Sequence, residues 1–416
     1  MSEAANLAEG LVDDYSAVRT QTEMLCRPLA VEDYGVQPMD DCSPPKWHLA
    51  HTTWFFETFL LKPFVRGYQP FHERYEYLFN SYYNGVGEQY PRPLRGNLSR
   101  PTVEEVMDYR AFVDRTVLRL LADKSDEIRA RVVLGLNHEQ QHQELILTDL
   151  KYNLGNNPLA PAFREDLVCL ETRETPMKFV AEPGGLVSVG ADPDAPGFAF
   201  DNETPRHKTW LDPYVMADRL VTNGEYLEFI EDGGYADPAL WLYQGWSEVQ
   251  RSGWQAPLYW RRSADAGWAE YRLSGLAALE PLLPVTHVSY FEADAYARWT
   301  GARLPTEREW ENIASRSQVE GNFVDRNTLH PEAASGKGFK QLYGDAWEWT
   351  ASAYSPYPGF EPLAGALGEY NGKFMSDQLV LRGGSCVTPP GHVRSSYRNF
   401  FYARDRWQFT GIRLAK

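Results

Sequence analysis

Apolar side chains recur at every third or fourth position through much of the N-terminal part of the chain, and this spacing predicts amphipathic helices. The third helix opens with Thr102 and Glu105, the sequence pattern of a capping box. A loop of roughly forty residues precedes it, and loops of that length are usually functional in compact domains. Four consecutive helices predict an antiparallel bundle. They are the segment with the stripe Leu7, Leu11, Tyr15, Val18, Thr22 and Leu25, then Lys46–Leu61, the segment from Thr102 to Leu120, and Leu134–Tyr152.

The composition and periodicity of the sequence change near Asn153: Gly, Pro, Asp and Trp become frequent, and the helical spacing of apolar residues is lost. Only Val221–Asp232 and Tyr290–Gly301 keep a clear helical pattern, whereas residues 207–216 and 378–385 alternate as strands do. The pattern therefore predicts an α+β protein, with a helical bundle over residues 1–160 and a loop-rich α+β domain over residues 175–416.

Composition narrows the classes of function. A net charge of -16 argues against a nucleic-acid backbone as partner, because such a partner selects a basic surface. No basic and apolar leader opens the chain and no apolar run is long enough to span a membrane, so we expect a cytoplasmic protein without a membrane partner. The four cysteines are scattered, which favours free thiols in a reducing compartment.

Two histidines on the fourth predicted helix are candidate metal ligands. His138 and His142 stand four residues apart and so leave the helix on one face, and Gln141 points the same way. Imidazoles at this spacing are typical of metal sites, and a third ligand must then come from elsewhere. His51, on the apolar stripe of the second helix, is a plausible third ligand, and His48 is its rival.

The same segment leaves two alternatives of other classes. His138, Glu139 and His142 match the H-E-x-x-H helix of zinc proteases, which suggests metal-assisted hydrolysis. No further ligand motif of that class follows His142, which disfavours a hydrolase. A lectin-like binding module without catalysis would not need the histidines at all.

Five motifs follow one another in the second half: GGLVSVG, ETPRHKTWLDPYVMADRLVTNGEYLEF, PVTHVSYFEADAYARWTGARLPTEREWE, GDAWEWTAS and LRGGSCVTPPGHVRSSYRNFF…TGIRLA. In this order they resemble the formylglycine-generating-enzyme/sulfatase-modifying domain, which has a C-type-lectin-like fold. The formylglycine enzyme carries a pair of catalytic cysteines shortly after RGGS, whereas only Cys386 follows that motif here. A single thiol cannot reproduce a paired copper-binding site, so the resemblance implies the fold without that activity.

The first half resembles a DinB-like four-helix bundle, whose iron-binding segments match WHLAHTTWFFE and HEQQHQE. A DinB-like bundle followed by a lectin-like domain is the architecture of the sulfoxide synthases of ergothioneine biosynthesis. The resemblance implies an Fe(II)- and O2-dependent enzyme that joins the sulfur of cysteine, or of γ-glutamylcysteine, to the imidazole of hercynine (N-trimethylated histidine) as a sulfoxide. It places the iron ligands at His51, His138 and His142.

An ovothiol-type relative, which makes a 5-histidylcysteine sulfoxide, stays open as an alternative. It typically carries an additional methyltransferase domain, and none follows the lectin-like region before Lys416, which favours the hercynine enzyme.

The resemblance also implies which residues recognise the substrates and move protons. Aromatic faces suit the permanent cation of hercynine, and forked arginine donors suit a carboxylate. The bulk of tandem tyrosines leaves little room for a dipeptide, so we expect free cysteine as the sulfur donor. The assignments are Asn399, Phe400 and Phe401 for the trimethylammonium group, Gln141 for the imidazole, Arg92 and Arg95 for the carboxylate of the sulfur substrate, and Tyr82 or Tyr83 as the proton donor near iron.

Overall fold

The computed structural model describes residues 3–122, 125–167, 172–263 and 267–416, and these residues form two compact units. The first unit consists of Met1–Pro158 together with Leu363–Tyr370, and the second consists of Leu159–Pro362 together with Asn371–Lys416. Helices build the first unit, and helices and small sheets build the second, so the predicted α+β class is confirmed.

Four long helices form the first unit within the described ranges. The capping box predicted at Thr102 is confirmed, because the Thr102 hydroxyl accepts from the Glu105 N–H and the Glu105 carboxylate accepts from the Thr102 N–H. The long loop after the second helix contains a short helix, Tyr75–Phe79, and a 3-10 turn, Arg92–Asn97. The long helices are α1 (Glu3–Cys26), α2 (Pro45–Phe56), α3 (Val103–Leu120) and α4 (Asp126–Gly155), and a further 3-10 turn covers Val31–Gly35.

Helix α2 lies at the centre of the first unit. The sequence predicts one apolar stripe on it, but every residue of α2 is buried, including its polar ones. It also departs from a regular helix, because it continues as a π-helical turn, Glu57–Leu61, before a last α-helical turn, Lys62–Phe64. Because α2 is packed on all faces, its polar side chains find their partners inside the unit, and the sequence pattern alone does not show this.

Gly135 of α4 marks a close approach of α4 to α2. A Cβ at Gly135 would lie 2.5 Å from Cε1 of Phe56. The Phe56 ring is itself confined by an edge contact with Tyr15 and by the Arg19 guanidinium. Glycine at this position therefore fixes how closely the histidine-bearing faces of the two helices meet.

The second unit contains more helices than its sequence pattern predicts. The two expected helices are confirmed with shorter bounds, and two more are present. One of these, at residue 307, has a Thr306–Glu309 capping box that is readable in the sequence. The helices are α5 (Asn223–Glu231), α6 (Tyr243–Ser252), α7 (Tyr290–Trp299) and α8 (Glu307–Ala314), with 3-10 turns at Asp201–Glu203, Pro238–Leu240, Val324–Arg326, Gly365–Glu369 and Gly372–Phe374, the fourth of which belongs to the first unit.

The strands of the second unit form four small sheets in the described residues. The largest has the order β10-β9-β8-β11, in which β11 runs parallel to β8 and the other neighbours are antiparallel. Two of the other sheets pair β1 with β4 and β2 with β3, and the third has the order β5-β6-β7, with β6 in the centre. The strands are β1 (Phe179–Glu182), β2 (Gly185–Val189), β3 (His207–Leu211), β4 (Tyr214–Ala217), β5 (Trp260–Ser263), β6 (Gly267–Arg272), β7 (Gly275–Ala278), β8 (Trp347–Ala353), β9 (Gln378–Arg382), β10 (Asn399–Tyr402) and β11 (Thr410–Gly411).

Buried ion pairs hold the core of this unit. The Arg382 guanidinium lies 2.9 Å from both Glu307 and Glu311, and Arg398 lies 2.9 Å from Glu307. Arg398 directly precedes β10, so this network fixes the start of that strand. Such buried charges are stable only when every partner is paired.

The structure also bears on the predictions about the cysteines and about membrane-spanning segments. Cys26 and Cys42 are buried free thiols, as expected, Cys386 is buried, and Cys169 lies outside the described residues. Across the described ranges, the helices are too short or too polar to traverse a lipid bilayer.

Candidate metal centre

Three histidines converge inside the first unit. His51 comes from α2, and His138 and His142 come from successive turns of α4. One ring nitrogen from each lies within 4.8 Å of the others, and all three side chains are buried. His48 does not belong to this convergent group.

The hydrogen bonds of these rings leave nitrogen lone pairs without a protein partner. The Nδ1 of His51 lies 2.6 Å from the carbonyl oxygen of Phe79, which can only accept, so Nδ1 carries the proton and Nε2 carries a lone pair. That Nε2 is buried and has no hydrogen-bond partner among the described residues, and neither does either nitrogen of His138. Buried polar atoms are normally satisfied, and a neutral imidazole has one lone pair, so Nε2 of His51 and one nitrogen of His138 fit a bound metal ion.

Burial also keeps the three rings neutral, as metal ligands must be. Desolvation lowers the pKa of His138 to about 3 and holds the pKa values of His51 and His142 well below their ordinary value. Neighbouring histidines lower the pKa values further, because a second proton in the cluster would meet a first. The lone pairs are therefore available at neutral pH.

A column of stacked side chains supports His51. Its ring lies between Trp47, at 4.5 Å between centroids, and Trp54, at 5.3 Å. The guanidinium carbon of Arg95 lies 3.4 Å from the centroid of Trp47 on α2. Arg95 is buried, and its terminal nitrogens donate to the hydroxyls of Ser43 and Ser81. The column fixes the plane of the His51 ring.

Arg92, the other predicted carboxylate partner, lies in a different environment. It is exposed, and its Nη2 donates to the backbone oxygen of Asp41. The substrate role of the two arginines stays a prediction.

Glu139, the acidic residue of the H-E-x-x-H string, forms ion pairs with two buried arginines. Glu139 is fully buried and accepts from Arg19 at 2.8 Å and from Arg110 at 3.0 Å. Although burial alone raises the pKa of this carboxyl, the two guanidinium groups leave the pKa below its usual value. A carboxylate paired twice in this way stabilises the bundle and cannot serve as the general base that a zinc protease requires of this position.

Three tyrosines form a cluster that touches the histidines through Tyr370, and the sequence pointed to the other two. Tyr82 and Tyr83 stack at 4.6 Å between centroids. The third, Tyr370, lies 5.6 Å from the ring of His138 and 6.4 Å from that of Tyr82, and its hydroxyl donates to the side-chain oxygen of Gln141. No local motif marks Tyr370, because it reaches the cluster from a distant part of the chain.

The residue before Tyr370 holds this arrangement together. The Glu369 carboxylate accepts from the backbone N–H groups of Asn84 at 3.0 Å and Gly85 at 2.7 Å. Those two residues directly follow Tyr82 and Tyr83, so one carboxylate ties the tyrosine loop to the segment that carries Tyr370.

The three predicted cation-binding residues form most of β10 in the second unit and are half-buried. Phe400 stacks on Tyr354 at 4.1 Å, and Phe401 meets Trp407 edge-on at 5.7 Å. The side-chain oxygen of Asn399 accepts from the N–H of Phe400. The Phe400 ring also stacks on Phe374 at 5.9 Å, and the cation-binding role of the three residues stays a prediction.

Comparison with known proteins places the chain in a family. Residues 14–146 match the model of the DinB superfamily, and residues 166–416 match that of the sulfatase-modifying factor enzyme 1-like domain. The protein from Mycobacterium tuberculosis named hercynine oxygenase is 33% identical over 90% of this chain and 91% of its own length. The chain belongs to the hercynine oxygenase family.

Two further relatives agree with that family. The hercynine oxygenase of Mycolicibacterium smegmatis is 33% identical over 79% of this chain and 81% of its own length. Ergothioneine biosynthesis protein 1 of Schizosaccharomyces pombe is 30% identical over 53% of this chain and 28% of its own length. The predicted architecture, a DinB-like bundle followed by a sulfatase-modifying-factor domain, is confirmed. As a member of this family, the chain is an oxygenase.

Proposed function

We propose that this hercynine oxygenase homologue uses Fe(II) and O2 to join the sulfur of a thiol to the imidazole of hercynine, giving a sulfoxide in ergothioneine biosynthesis. The observation that carries the proposal is the group of three buried, neutral histidines, which presents unpartnered nitrogen atoms in a chain with these relatives. Imidazole nitrogen is a suitable donor for iron.

The histidines His51, His138 and His142 would hold the iron. Bound Fe(II) would supply the electrons that activate O2 and the coordination positions for the thiol and the imidazole. The protein contributes preorganisation, because the Phe79 carbonyl and the tryptophan column already fix the His51 ring. Burial of the cluster keeps bulk water away from the reacting groups.

The tyrosine cluster is the source of the proton that oxygen reduction requires. A tyrosine hydroxyl carries its proton at neutral pH, but burial raises the pKa of Tyr83 well above its ordinary value, which makes Tyr83 the weaker acid unless its surroundings change when substrate binds. Tyr82 stacks against it, and Tyr370 presents a second hydroxyl beside Gln141. Proton donation by one of these three hydroxyls would give a purpose to the contacts of Glu369 with Asn84 and Gly85, which hold the Tyr82–Tyr83 loop and the Tyr370 segment together.

The remaining assignments concern the substrates. Phe400 and Phe401 would offer aromatic faces to the trimethylammonium group of hercynine, and Arg95 or Arg92 would bind the carboxylate of the sulfur donor. We infer that the donor is free cysteine, because the tandem rings of Tyr82 and Tyr83 add bulk to this loop where a dipeptide would want room, and Tyr370 packs against both Tyr82 and His138.

The decisive experiment starts from the metal-free protein. After anaerobic loading with Fe(II), oxygen is admitted with hercynine and cysteine, and the products are resolved by mass spectrometry. We expect the mass of the hercynine–cysteine sulfoxide only when all three components are present, and its absence from His138→Ala.

A parallel reaction with histidine in place of hercynine tests the ovothiol-type alternative. A sulfoxide formed faster from histidine than from hercynine would overturn the proposed substrate, and peptide hydrolysis without O2 would overturn the reaction class.

A further inference from the structure

His48 lies between one of the clustered histidines and a buried carboxylate. Its Nδ1 is 2.8 Å from Nδ1 of His142, and its Nε2 is 3.1 Å from Oδ2 of Asp149. The same carboxylate oxygen accepts from the N–H of Ser43 at 2.8 Å. These contacts link the side chains of His142, His48 and Asp149, and all three are buried.

The identity of each atom fixes where the protons lie. An ionised carboxylate only accepts, so Nε2 of His48 carries a proton toward Asp149. In a neutral His48 the other nitrogen, Nδ1, is then an acceptor. The facing Nδ1 of His142 must therefore donate to it, which leaves the Nε2 of His142 with its lone pair.

The same contacts exclude His48 as a ligand. Both of its nitrogens are engaged, one by His142 and one by Asp149. His142, for its part, can offer a metal only its Nε2, because its Nδ1 is engaged by His48.

We propose that Asp149 and His48 form a hydrogen-bonded relay that sets the tautomer of His142, which makes His48 a positioning residue of the metal centre. The inference rests on the proposed metal site. It predicts unequal ligands, since His51 is oriented by a neutral carbonyl, whereas His142 is oriented by a carboxylate acting through His48. A carboxylate behind a ligand raises its basicity, so His142 is the strongest donor of the three.

The test uses a matched pair of substitutions at His48. Asn places an acceptor oxygen close to the position of Nδ1 of the imidazole and can still take the His142 proton, whereas Leu has nearly the same shape and cannot. Titration of the metal-free protein with Co(II) alone, followed by its visible absorption bands, reports affinity without turnover.

We expect His48→Leu to weaken Co(II) binding by about 10–100-fold, and His48→Asn to restore it to within a few-fold of the parent protein. Asp149→Asn, which removes the charge but keeps the shape, is expected to weaken binding by about tenfold and to shift the Co(II) bands. His72→Leu, at an exposed histidine of the same unit, is the control and should leave binding unchanged. Asp149→Asn also provides the test if His48→Leu does not fold.

Three other results would each contradict a specific claim. Equal affinity in His48→Leu and the parent protein would remove the relay while leaving the metal site standing. Equal and complete loss in both His48→Asn and His48→Leu, with both variants folded by circular dichroism, would make His48 a ligand. A parent protein that binds no Co(II) would overturn the proposed metal site itself.

Discussion

At the scale of single residues, the metal centre depends on which imidazole nitrogens have partners. His51, His138 and His142 offer convergent nitrogens in a buried space, and a missing imidazole there cannot be replaced by solvent. We therefore expect His51→Ala, His138→Ala and His142→Ala each to abolish stoichiometric iron binding, measured by metal analysis after anaerobic loading. His72→Ala should retain iron. Iron that persists in His51→Ala but is lost in His48→Ala would show that the wrong residue of α2 had been assigned.

The tyrosine hydroxyls provide a prediction about product partition. If one of them donates the proton, the corresponding Phe variant keeps the ring and loses only the donor. Among Tyr82→Phe, Tyr83→Phe and Tyr370→Phe we expect at least one to slow sulfoxide formation by about a hundredfold or more and to divert cysteine to its sulfinic acid. Mass spectrometry of the products and the KM for hercynine are the measurements, and the KM should hardly change. Unaltered product ratios in all three variants would remove the tyrosines from proton transfer.

A buried histidine in the second unit predicts how stability depends on pH. Burial lowers the pKa of His392 to about 3, below its ordinary value of 6.5, with the Arg394 cation as a second cause. The unfolded chain then binds one proton more than the folded chain between these two values, so His392 contributes stability that is present above pH 6.5 and is lost as the pH falls toward 3.

The contribution of His392 amounts to a slope of about 1.4 kcal/mol per pH unit in the free energy of unfolding. His392→Gln should make that slope shallower when denaturant unfolding is followed between pH 4 and 7. An identical slope in the parent and the variant would contradict the assignment.

Residue-scale prediction from the sequence reached the pair His138 and His142, because helical spacing alone puts them on one face. Spacing could not separate His48 from His51, which lie three residues apart on α2. In the structure they differ because His48 contacts Asp149 on another helix, and no local sequence pattern predicts such a contact.

At the scale of elements, the close packing of α4 against α2 depends on the absence of a side chain at Gly135. Gly135→Ala would press a Cβ against the confined ring of Phe56, and overpacking of this kind costs about 1–3 kcal/mol. Denaturant unfolding should show that loss. Gly10→Ala, in a helix with nothing within 4 Å of the new Cβ, should instead stabilise by up to about 1 kcal/mol. A Gly135→Ala variant as stable as Gly10→Ala would mean that the two helices separate freely.

Elements with local signals were predictable, and elements fixed by distant contacts were not. The capping boxes at Thr102 and Thr306 mark real helix starts. The π-helical turn Glu57–Leu61 has no such signal, and neither has the segment Leu363–Tyr370, whose place in the first unit follows from contacts such as that of Glu369 with Gly85.

At the scale of the whole molecule, the choice of sulfur donor tests the proposed function. Free cysteine is compact, whereas γ-glutamylcysteine carries an additional arm and carboxylate. We expect kcat/KM at saturating hercynine to favour cysteine by tenfold or more, which is about 1.4 kcal/mol of transition-state discrimination. Steady-state oxygen consumption with each thiol measures the ratio. A tenfold preference for the dipeptide would show that the tyrosine cluster leaves more room than its packing indicates.

The assignment of Leu363–Tyr370 to the first unit has a consequence for synthesis on the ribosome. The helices of that unit are all translated by Pro158, yet Tyr370 emerges 212 residues later (370 − 158). At ~5–20 residues per second this delay is roughly ten to forty seconds. Throughout that interval the nascent bundle holds its histidines without Tyr370, and the N–H groups of Asn84 and Gly85 await the carboxylate of Glu369. The timing of translation thus completes the three clustered histidines well before it supplies the last hydroxyl beside them.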